Sequence, residues 1–476
     1  MRICLVLEGC YPYVRGGVSS WMHAYIGAMP QNEFVLWVIA ESREMKGKFK
    51  YEMHPNVKEI HEVFLSDALR LRPKKGLAKY KFTEEEIAEL KKLIACENPT
   101  WPILFRTYNK KKVSAVDFLM GEEFLEILLE MCREKYPFVS FAELFHTVRS
   151  MLVPMLFLMG QDVPRADVYH ATSTGYGGLL GAMGGWSSNR PFIVTEHGIY
   201  TREREEEILR AKWVPPYFKQ QWISLFHMLS QCAYDNAVTV TSLFPRAAET
   251  QIELGCPPYK CRVIRNGIHI ENFINIPPKE ENGYIDIAAI VRLSPIKDIK
   301  TMIYAFVELK TKVPNARLHI LGDTDDEDYA RECVELVKQL DVKDVFFVGN
   351  TNVPEYLKNI DFTVLSSISE GQPLAVLESF AAGRPCVTTD VGCCRELLSG
   401  YADDNFGKAG IYVPPMHAEM LAAGMELLCN RKDVRDSMGK AGRERVKKYY
   451  VHQDMIRKYL DNYEEVLSQW RVLDLN

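Results

Sequence analysis

The chain has 476 residues, of which 47% are hydrophobic and 25% are charged, and its formal net charge is -5 at pH 7. This length is too great for one ordinary hydrophobic core, so we predict two or three domains in a soluble globular protein. The small negative charge argues against nucleic acid as the main partner, because phosphate binding needs an excess of lysine and arginine.

The chain opens with the pattern of a buried strand, a glycine-rich turn and a helix. Residues 2–8 (RICLVLE) are too short for the apolar core of a signal peptide, so we interpret them as the first strand. Gly16 and Gly17 lie in the turn, a helix is predicted from about Ser19, and a second strand is predicted at 34–40. This order is typical of a Rossmann-like domain.

The strand–helix alternation then stops, and from about Ser66 to Tyr136 the pattern is helical and charged. Thr83 and Glu86 have the spacing of a capping box at a helix start. We therefore predict a helical insertion at about 66–140 in the first domain. Strand signals return further along the chain, at 167–171, 192–198 and 237–242.

The longest apolar stretch and the spacing of the cysteines bear on whether the chain crosses a membrane and on its redox compartment. The most apolar stretch, 151–160, is roughly half as long as a membrane span and contains Pro154, so no segment is expected to cross a membrane. Twelve cysteines are scattered without regular spacing. Cys256 and Cys261 lack a second pair, so we expect free thiols in a reducing cytosol and no zinc site.

The second half of the chain alternates short apolar runs with amphipathic helical patterns, which indicates βαβ units on a parallel sheet. Residues 276–284 (IPPKEENGY) combine proline, charge and glycine and are predicted as the domain linker. The strands are predicted at 285–291, 317–322, 345–349, 362–367 and 386–391.

The predicted fold is thus α/β, with two Rossmann-like doubly wound domains. The first covers 1–280 and the second 281–448, and a C-terminal helix at 449–476 is expected to pack back on the first domain. Open α/β sheets bind ligands outside the carboxyl ends of their strands, so two such domains on one linker predict a cleft between those ends.

Segment 369–378 (SEGQPLAVLE) follows a predicted strand and opens a helix. Gly371 would let a ligand approach the backbone, and Pro373 suits a first helical turn whose N–H groups bind anions. Glu370 and Glu378 flank this turn, but a rise of about 1.5 Å per residue keeps them apart. They therefore fit two distant parts of one elongated ligand better than the close carboxylate pair of a glycosidase. Their spacing alone favours a plainer interpretation, a solvated loop glutamate and a glutamate on a helix surface.

The order of the motifs resembles the retaining glycosyltransferases of family GT4, which have the GT-B fold. E-x7-E at 370–378, with G-x-P-L inside it, is accompanied in order by three further segments, RNGI (265–268), RLSPIKDIKT (292–301) and AAGRPCVTTDVG (381–392). The resemblance covers nearly the whole chain.

At finer grain the chain resembles the PelF-type glycosyltransferases of Pel exopolysaccharide synthesis, whose N-terminal helical elaboration has the same position. The segments concerned are EGCYPYVRGGVSSW (8–21), TEHGIYTRERE (195–205), PIKDIKT (295–301) and DVGCCREL (390–397). This resemblance implies a cytoplasmic enzyme that reaches the membrane only through inner-membrane Pel-type synthase components. It also implies a UDP-hexose donor, with glucose or an N-acetylhexosamine as the sugar, and a saccharide acceptor.

The resemblance implies roles for residues of the second domain. Arg292 and Lys297 would clamp the donor diphosphate, where a guanidinium fork and an ammonium charge neutralise the leaving group. Glu378 would accept the ribose hydroxyls. Glu370 would hold the sugar, together with the amides near Gly371 and Leu374.

In the first domain, Gly16 and Gly17 would approach the donor phosphate or the acceptor, and His197 would contact the sugar. Arg202 and Arg204 are equally well explained as a surface charge run. The candidate catalytic residues are Glu370, His197, Arg292 and Lys297.

The mechanism implied is transfer with retention, in which the departing diphosphate helps to take the acceptor proton. Asp325 and Asp326 lie in the charged start of a helix and do not form a convincing metal-binding pair, so no metal or cofactor is expected. Two alternatives stay open: a glycogen-synthase-like enzyme using ADP- or UDP-glucose, and a scaffold of a polymer-synthesis complex whose site is idle. An intact set of candidate residues argues against the scaffold.

Overall fold

The computed structural model describes residues 1–72, 80–401 and 404–474. They form two compact units, of which unit 1 contains Met1–Val263 and the chain from Tyr459 onward, and unit 2 contains Ile264–Lys458. Residues 73–79 of the predicted helical insertion and the last two residues of the predicted C-terminal helix lie outside the described residues.

Unit 1 is built on a parallel sheet of seven strands in the order β3-β2-β1-β4-β5-β6-β7. Strands β1, β2, β4, β5 and β6 are buried along most of their length, which explains their apolar runs. From β1 the chain adds β2 and β3 on one side of the sheet and then β4 to β7 on the other side, so the strand order reverses between β1 and β4. The strands are β1 (Arg2–Glu8), β2 (Glu33–Ala40), β3 (Val57–Phe64), β4 (Val168–Ala171), β5 (Phe192–Glu196), β6 (Thr239–Ser242) and β7 (Cys261–Val263).

Helices cover the sheet of unit 1 and fill the region between β3 and β4. Their buried side chains share one hydrophobic core with the strands. The helices are α1 (Gly17–Gly27), α2 (Leu65–Ala68), α3 (Glu84–Ala95), α4 (Trp101–Lys111), α5 (Ala115–Phe118), α6 (Glu122–Lys135), α7 (Phe141–Met159), α8 (Tyr176–Ser188), α9 (Tyr200–Arg210), α10 (Lys219–Asn236) and α11 (Pro245–Glu253).

The helical region differs from its predicted extent at one end. The capping box of Thr83 and Glu86 is confirmed, with both reciprocal hydrogen bonds present at the start of α3. Helix α7, however, carries the helical region on to Met159, past the predicted end at 140, and contains Pro154 in its interior. By length and composition α7 could cross a membrane, but its buried side chains belong to the core of unit 1.

Unit 2 is built on a parallel sheet of six strands in the order β10-β9-β8-β11-β12-β13. The prediction of two Rossmann-like doubly wound domains is therefore confirmed. The elements are β8 (Ile285–Ile290), α12 (Ile299–Lys312), β9 (Ala316–Leu321), α13 (Glu327–Gln339), β10 (Val345–Gly349), α14 (Val353–Leu357), β11 (Phe362–Leu365), α15 (Leu374–Ala381), β12 (Cys386–Thr389), α16 (Cys394–Ser399), β13 (Gly410–Val413), α17 (Ala418–Asn430) and α18 (Lys432–Tyr449).

The division between the units falls before the segment predicted as the linker. Unit 2 begins at Ile264, so residues 276–284 belong to it. Lys279 is almost fully buried and pairs with Asp286 at 2.5 Å and Asp361 at 2.7 Å. These ion pairs explain why a segment with the composition of a linker packs against the sheet.

The last helix, α19 (His452–Asp474), returns the chain to unit 1. Tyr463 lies in the interior of unit 1, where its hydroxyl is 2.6 Å from His170 Nδ1 and accepts a hydrogen bond from Tyr25 at 2.7 Å. His170 Nε2 is 2.8 Å from Thr195 Oγ1. A buried polar network thus joins α19 to strands β4 and β5.

All twelve cysteines are free thiols, and two of them are close together. The sulfur atoms of Cys256 and Cys261 are 3.4 Å apart, at the edge of the sheet of unit 1. Across residues 1–72, 80–401 and 404–474, no group of three histidine, cysteine or acidic side chains is arranged to hold a metal ion.

Candidate functional site

The segment SEGQPLAVLE forms a tight loop that leads from β11 into α15. Helix α15 begins at Leu374, with Pro373 as its N-cap, one residue later than the sequence suggests. The carbonyl of Gly371 accepts a hydrogen bond of 3.1 Å from the Cys393 N–H. Gly392 packs against the same loop so closely that an added Cβ would be 2.2 Å from the carbonyl oxygen of Glu370. The loop is thus held in position by the turn after β12.

Lys297 and Glu370, which lie far apart in sequence, are bonded to each other in unit 2. Lys297 Nζ donates to Glu370 Oε1 at 2.6 Å, and Ser367 Oγ donates to the same oxygen at 2.5 Å. Ser366 Oγ holds the turn that carries Lys297 by donating to its carbonyl at 2.8 Å. The lysine is therefore kept next to the loop before α15.

Arg292 follows β8 and forms an ion pair with Asp325, which lies just before α13. About half of the arginine side chain is exposed, so its guanidinium is accessible to a ligand. Both predicted cations thus have an acidic partner in the structure, and an anionic ligand would compete with these carboxylates for them.

Glu378 is set apart from these ion pairs. Across the described ranges of the chain, no hydrogen bond or ion pair reaches its carboxylate, and burial raises its pKa to about 7. A half-buried carboxylate without partners is costly and is stabilised by a ligand that donates hydrogen bonds to it.

The residues predicted in the first domain belong to unit 1. Gly16 and Gly17 form the N-terminus of α1, and an added Cβ at either would meet no atom within 4 Å. His197 directly follows β5, with its ring edge-on to Trp21 at a centroid distance of 4.4 Å. Its Nε2 is buried without a partner among the described residues, and burial lowers the pKa of the ring to about 4. His197 is therefore neutral at pH 7.

Sequence reasoning missed two residues that tie these segments together. The side-chain amide of Gln372 accepts a hydrogen bond of 3.0 Å from the Asn266 N–H and donates one of 3.1 Å to the Asn266 carbonyl. These two bonds join the RNGI segment to the loop before α15. Glu8, the last residue of β1, accepts hydrogen bonds from Ser173 and from the N–H of Gly177. The sequence signals for Glu8 are a carboxylate placed before the glycine-rich turn and its position at the start of the segment 8–21.

Comparison with known proteins matches a family model to each unit and relates unit 2 to glycosyltransferases. Residues 1–259 match the family described as a domain of unknown function (DUF3492), and residues 271–445 match glycosyl transferases group 1. The putative colanic acid biosynthesis glycosyltransferase WcaL of Salmonella typhimurium is 29% identical in an alignment of 216 positions that covers 43% of this chain and 51% of WcaL. The chain therefore spans about half the length of this curated relative.

Solved structures share the fold over nearly the whole chain. HepE from Anabaena, in complex with UDP, has a TM-score of 0.61 at 13% identity and covers 98% of this chain and 100% of its own. A sucrose-phosphate synthase from Thermosynechococcus elongatus has a TM-score of 0.61 at 16% identity and covers 98% of this chain and 99% of its own. At these identities the likeness shows the fold alone, which is GT-B.

Proposed function

Since the chain belongs to the DUF3492 family and has a group 1 glycosyltransferase domain, we propose that it moves a hexose or N-acetylhexosamine from a UDP-sugar to a growing exopolysaccharide. The observation that carries this proposal is the set of groups around α15 in unit 2. A bonded lysine and glutamate lie at the start of the helix, and a carboxylate without partners lies within it.

Each end of a nucleotide-sugar has a suitable group in this set. Glu378 accepts the ribose hydroxyls, because its carboxylate has no protein donor among the described residues and gains two hydrogen bonds from a diol. Lys297 and Arg292 exchange their carboxylate partners for the diphosphate. Glu370, released from Lys297, then holds hydroxyls of the sugar with the backbone near Gly371 and Leu374.

The proposed chemistry is displacement of the diphosphate with retention at the anomeric carbon. The two cations stabilise the negative charge that develops on the leaving group, which is where preorganised charge accelerates such a reaction most. The diphosphate oxygen takes the proton of the attacking hydroxyl. Arg292 and Lys297 supply the positive charge for this step, so we propose that no metal is needed.

The donor base, the compartment and the partners belong to the same proposal. HepE has been solved with UDP and with UDP-glucose, and a UDP-sugar is accordingly the first donor to test. Twelve free thiols suit a reducing cytoplasm. We place the enzyme there, acting with inner-membrane Pel-type synthase components that pass on the polymer.

Titration of the full chain with UDP in a calorimeter tests the binding part of the proposal. We expect heat of binding and a rise of the thermal midpoint with UDP, because a ligand that binds only the folded state stabilises it. Absence of both effects would leave an idle scaffold as the better explanation.

A donor screen tests the reaction itself. UDP-glucose, UDP-N-acetylglucosamine, UDP-N-acetylgalactosamine and ADP-glucose are incubated with and without oligosaccharides, and release of the nucleoside diphosphate is followed. We expect acceptor-dependent release from a UDP-sugar and an anomeric NMR signal of unchanged configuration in the product. ADP-glucose with a glycogen primer as the best pair would instead indicate a glycogen-synthase-like enzyme, and an inverted product would exclude retention.

A further inference from the structure

A group of polar side chains lies at the point where the sheet of unit 1 changes direction. The strand order reverses between β1 and β4, and open α/β sheets bind ligands outside the carboxyl ends of the strands at such a point. Glu8 is the last residue of β1, and Ser173 follows the end of β4. The topology therefore puts a carboxylate and a hydroxyl where this class of sheet binds ligands.

The two carboxylate oxygens of Glu8 are held differently. Oε2 accepts hydrogen bonds from the N–H of Gly177 at 2.9 Å and from Ser173 Oγ at 3.2 Å, so it fastens the start of α8. Among the described residues, Oε1 has only the longer contact of 3.3 Å from the Tyr200 hydroxyl and an Arg204 nitrogen at 3.9 Å. A carboxylate accepts about four hydrogen bonds, so Oε1 keeps capacity for a ligand.

Arg204 is fixed beside Glu8, unlike the other arginine of the same charge run. Its guanidinium lies over the ring of Tyr200 at 5.1 Å and near that of Phe226 at 5.9 Å. Arg202 is 60% exposed and forms a long ion pair of 3.9 Å with Glu253. The structure thus separates two residues that the sequence leaves equivalent, and places only Arg204 next to Glu8.

The Tyr200 ring packs closely against the backbone of Gly175 at the start of α8, and this contact holds the ring in position. A Cβ added to Gly175 would be 2.1 Å from the Tyr200 ring. At the end of the next strand, β5, Nε2 of His197 is buried with no hydrogen-bond partner among the described residues. The ends of three neighbouring strands therefore present a preorganised set of polar groups with spare hydrogen-bonding capacity.

We propose that Glu8, Ser173, Tyr200 and Arg204 form the subsite that binds an uncharged saccharide, the acceptor of the proposed reaction. The inference rests on the proposed function in naming that ligand the acceptor. Glu8 Oε1 accepts a hydrogen bond from a sugar hydroxyl, and Arg204 donates to a neighbouring sugar oxygen. Arg204 also pairs with Glu207 at 2.6 Å, so two carboxylates, those of Glu8 and Glu207, face one guanidinium, which suits a hydroxyl-rich neutral ligand and disfavours an anionic one.

Two substitutions test the subsite, one by removing its negative charge and the other by removing its positive charge. Glu8→Gln keeps an oxygen for the start of α8 but removes the charge, and Arg204→Ala leaves the contacts with α8 intact. The matched controls are Glu89→Gln, which changes a buried carboxylate that also accepts from a backbone N–H, and Arg210→Ala, at the exposed end of the same helix α9. Thermal midpoints are measured for all four variants to exclude unfolding.

Binding of maltotetraose, chitotetraose and tetragalacturonate to the full chain is followed by saturation-transfer NMR, and UDP affinity by calorimetry. We expect a neutral tetrasaccharide to bind and both subsite substitutions to weaken it at least about tenfold, because each removes a charge-assisted hydrogen bond. Both controls should bind it as the wild type does, and UDP affinity should be the same in every variant.

The outcomes separate this inference from the proposed function. A wild type that binds no UDP overturns the proposed function. A wild type that binds UDP but neither neutral saccharide, that prefers tetragalacturonate, or that loses no saccharide affinity in the two subsite variants overturns the subsite.

Discussion

Glu378 links the structure of unit 2 to a measurable pH dependence. Burial raises the pKa of its carboxyl from 4.5 to about 7, so at pH 6 most of the protein carries it protonated. Ribose hydroxyls donate to the ionised form. We predict that affinity for UDP-glucose rises about tenfold from pH 6 to pH 8, because the ionised fraction rises by that factor. Calorimetry at several pH values measures it, and the diphosphate of this ligand does not titrate in the range.

The variant Glu378→Gln removes the titrating group at nearly the same volume. The variant should bind UDP-glucose more weakly than the wild type does at pH 8, and its affinity should not change between pH 6 and pH 8. The stability effect has the opposite sign, because a raised pKa means that the folded state binds more protons than the unfolded one between pH 4.5 and about 7. Wild-type stability should therefore fall across that window more than that of the variant. A flat affinity profile in the wild type would contradict the assigned role.

Arg292 and Lys297 carry the positive charge in the proposed mechanism. We predict that Arg292→Ala and Lys297→Gln each reduce turnover on the order of 100-fold, because each removes stabilisation of the leaving diphosphate. The loop before α15 should keep its position in both variants, because Ser367 still donates to Glu370 and the Cys393 N–H to the Gly371 carbonyl. Initial rates of UDP release with the best donor measure the effect.

An exposed arginine elsewhere in unit 2 is the control for these charges. Arg431 is 57% exposed and pairs with Asp433 at 2.6 Å, much as Arg292 pairs with Asp325. Arg431→Ala should leave turnover within about twofold of the wild type, because exposed ion pairs contribute little to stability. Equal rates for Arg431→Ala and Arg292→Ala would remove Arg292 from the mechanism.

At the scale of single elements, the sequence predicted those helices and strands that carry a local signal, such as a capping box or a continuous apolar run. The capping box at Thr83 fixed the start of α3, and continuous apolar runs marked most of the strands. Strand β3 lacked such a signal, because it lies at the sheet edge and carries exposed lysine and glutamate. Helix α7 runs past its interior Pro154, because tertiary packing of its apolar side chains sustains it.

The turn after β12 supports the loop before α15 through a close backbone contact. Gly392 has φ +54, and an added Cβ would lie 2.2 Å from the Glu370 carbonyl oxygen and 2.4 Å from that of Gly371. We predict that Gly392→Ala displaces this loop and lowers UDP affinity about tenfold or more, measured by calorimetry, since small misplacement of binding groups is costly.

The variant Gly283→Ala is a control that introduces backbone strain without a steric clash. Gly283 also has a positive φ, +81, but an added Cβ there would meet nothing within 4 Å. Both variants should lose about 1 kcal/mol or more of stability through strain, and only Gly392→Ala should bind UDP more weakly. The same UDP affinity in the two variants would mean that the loop is not positioned by this contact.

At the scale of the whole molecule, the sequence predicts the order of the elements better than the contacts between them. Two doubly wound domains followed from the alternation of strands and helices. The sequence could not show that Lys297 bonds to Glu370, or that Glu8 lies beside Arg204, because each pair joins residues from distant parts of the chain. The boundary between the units was missed for the same reason, since the ion pairs of Lys279 are long-range contacts.

The chain enters unit 2 at Ile264 and returns to unit 1 within α19, so the stability of unit 1 depends on a distant segment of the chain. Tyr463 accepts a hydrogen bond from Tyr25 and shares one of 2.6 Å with His170 Nδ1, and burial lowers the pKa of His170 to about 3, so the ring stays neutral. We predict that Tyr463→Phe lowers the free energy of unfolding by about 1–3 kcal/mol, because it leaves two buried polar groups without a partner. Urea unfolding measures the change, and Tyr259→Phe, at an exposed tyrosine of unit 1, should be neutral. A Tyr463 variant as stable as the Tyr259 variant would show that apolar packing alone holds α19 in unit 1.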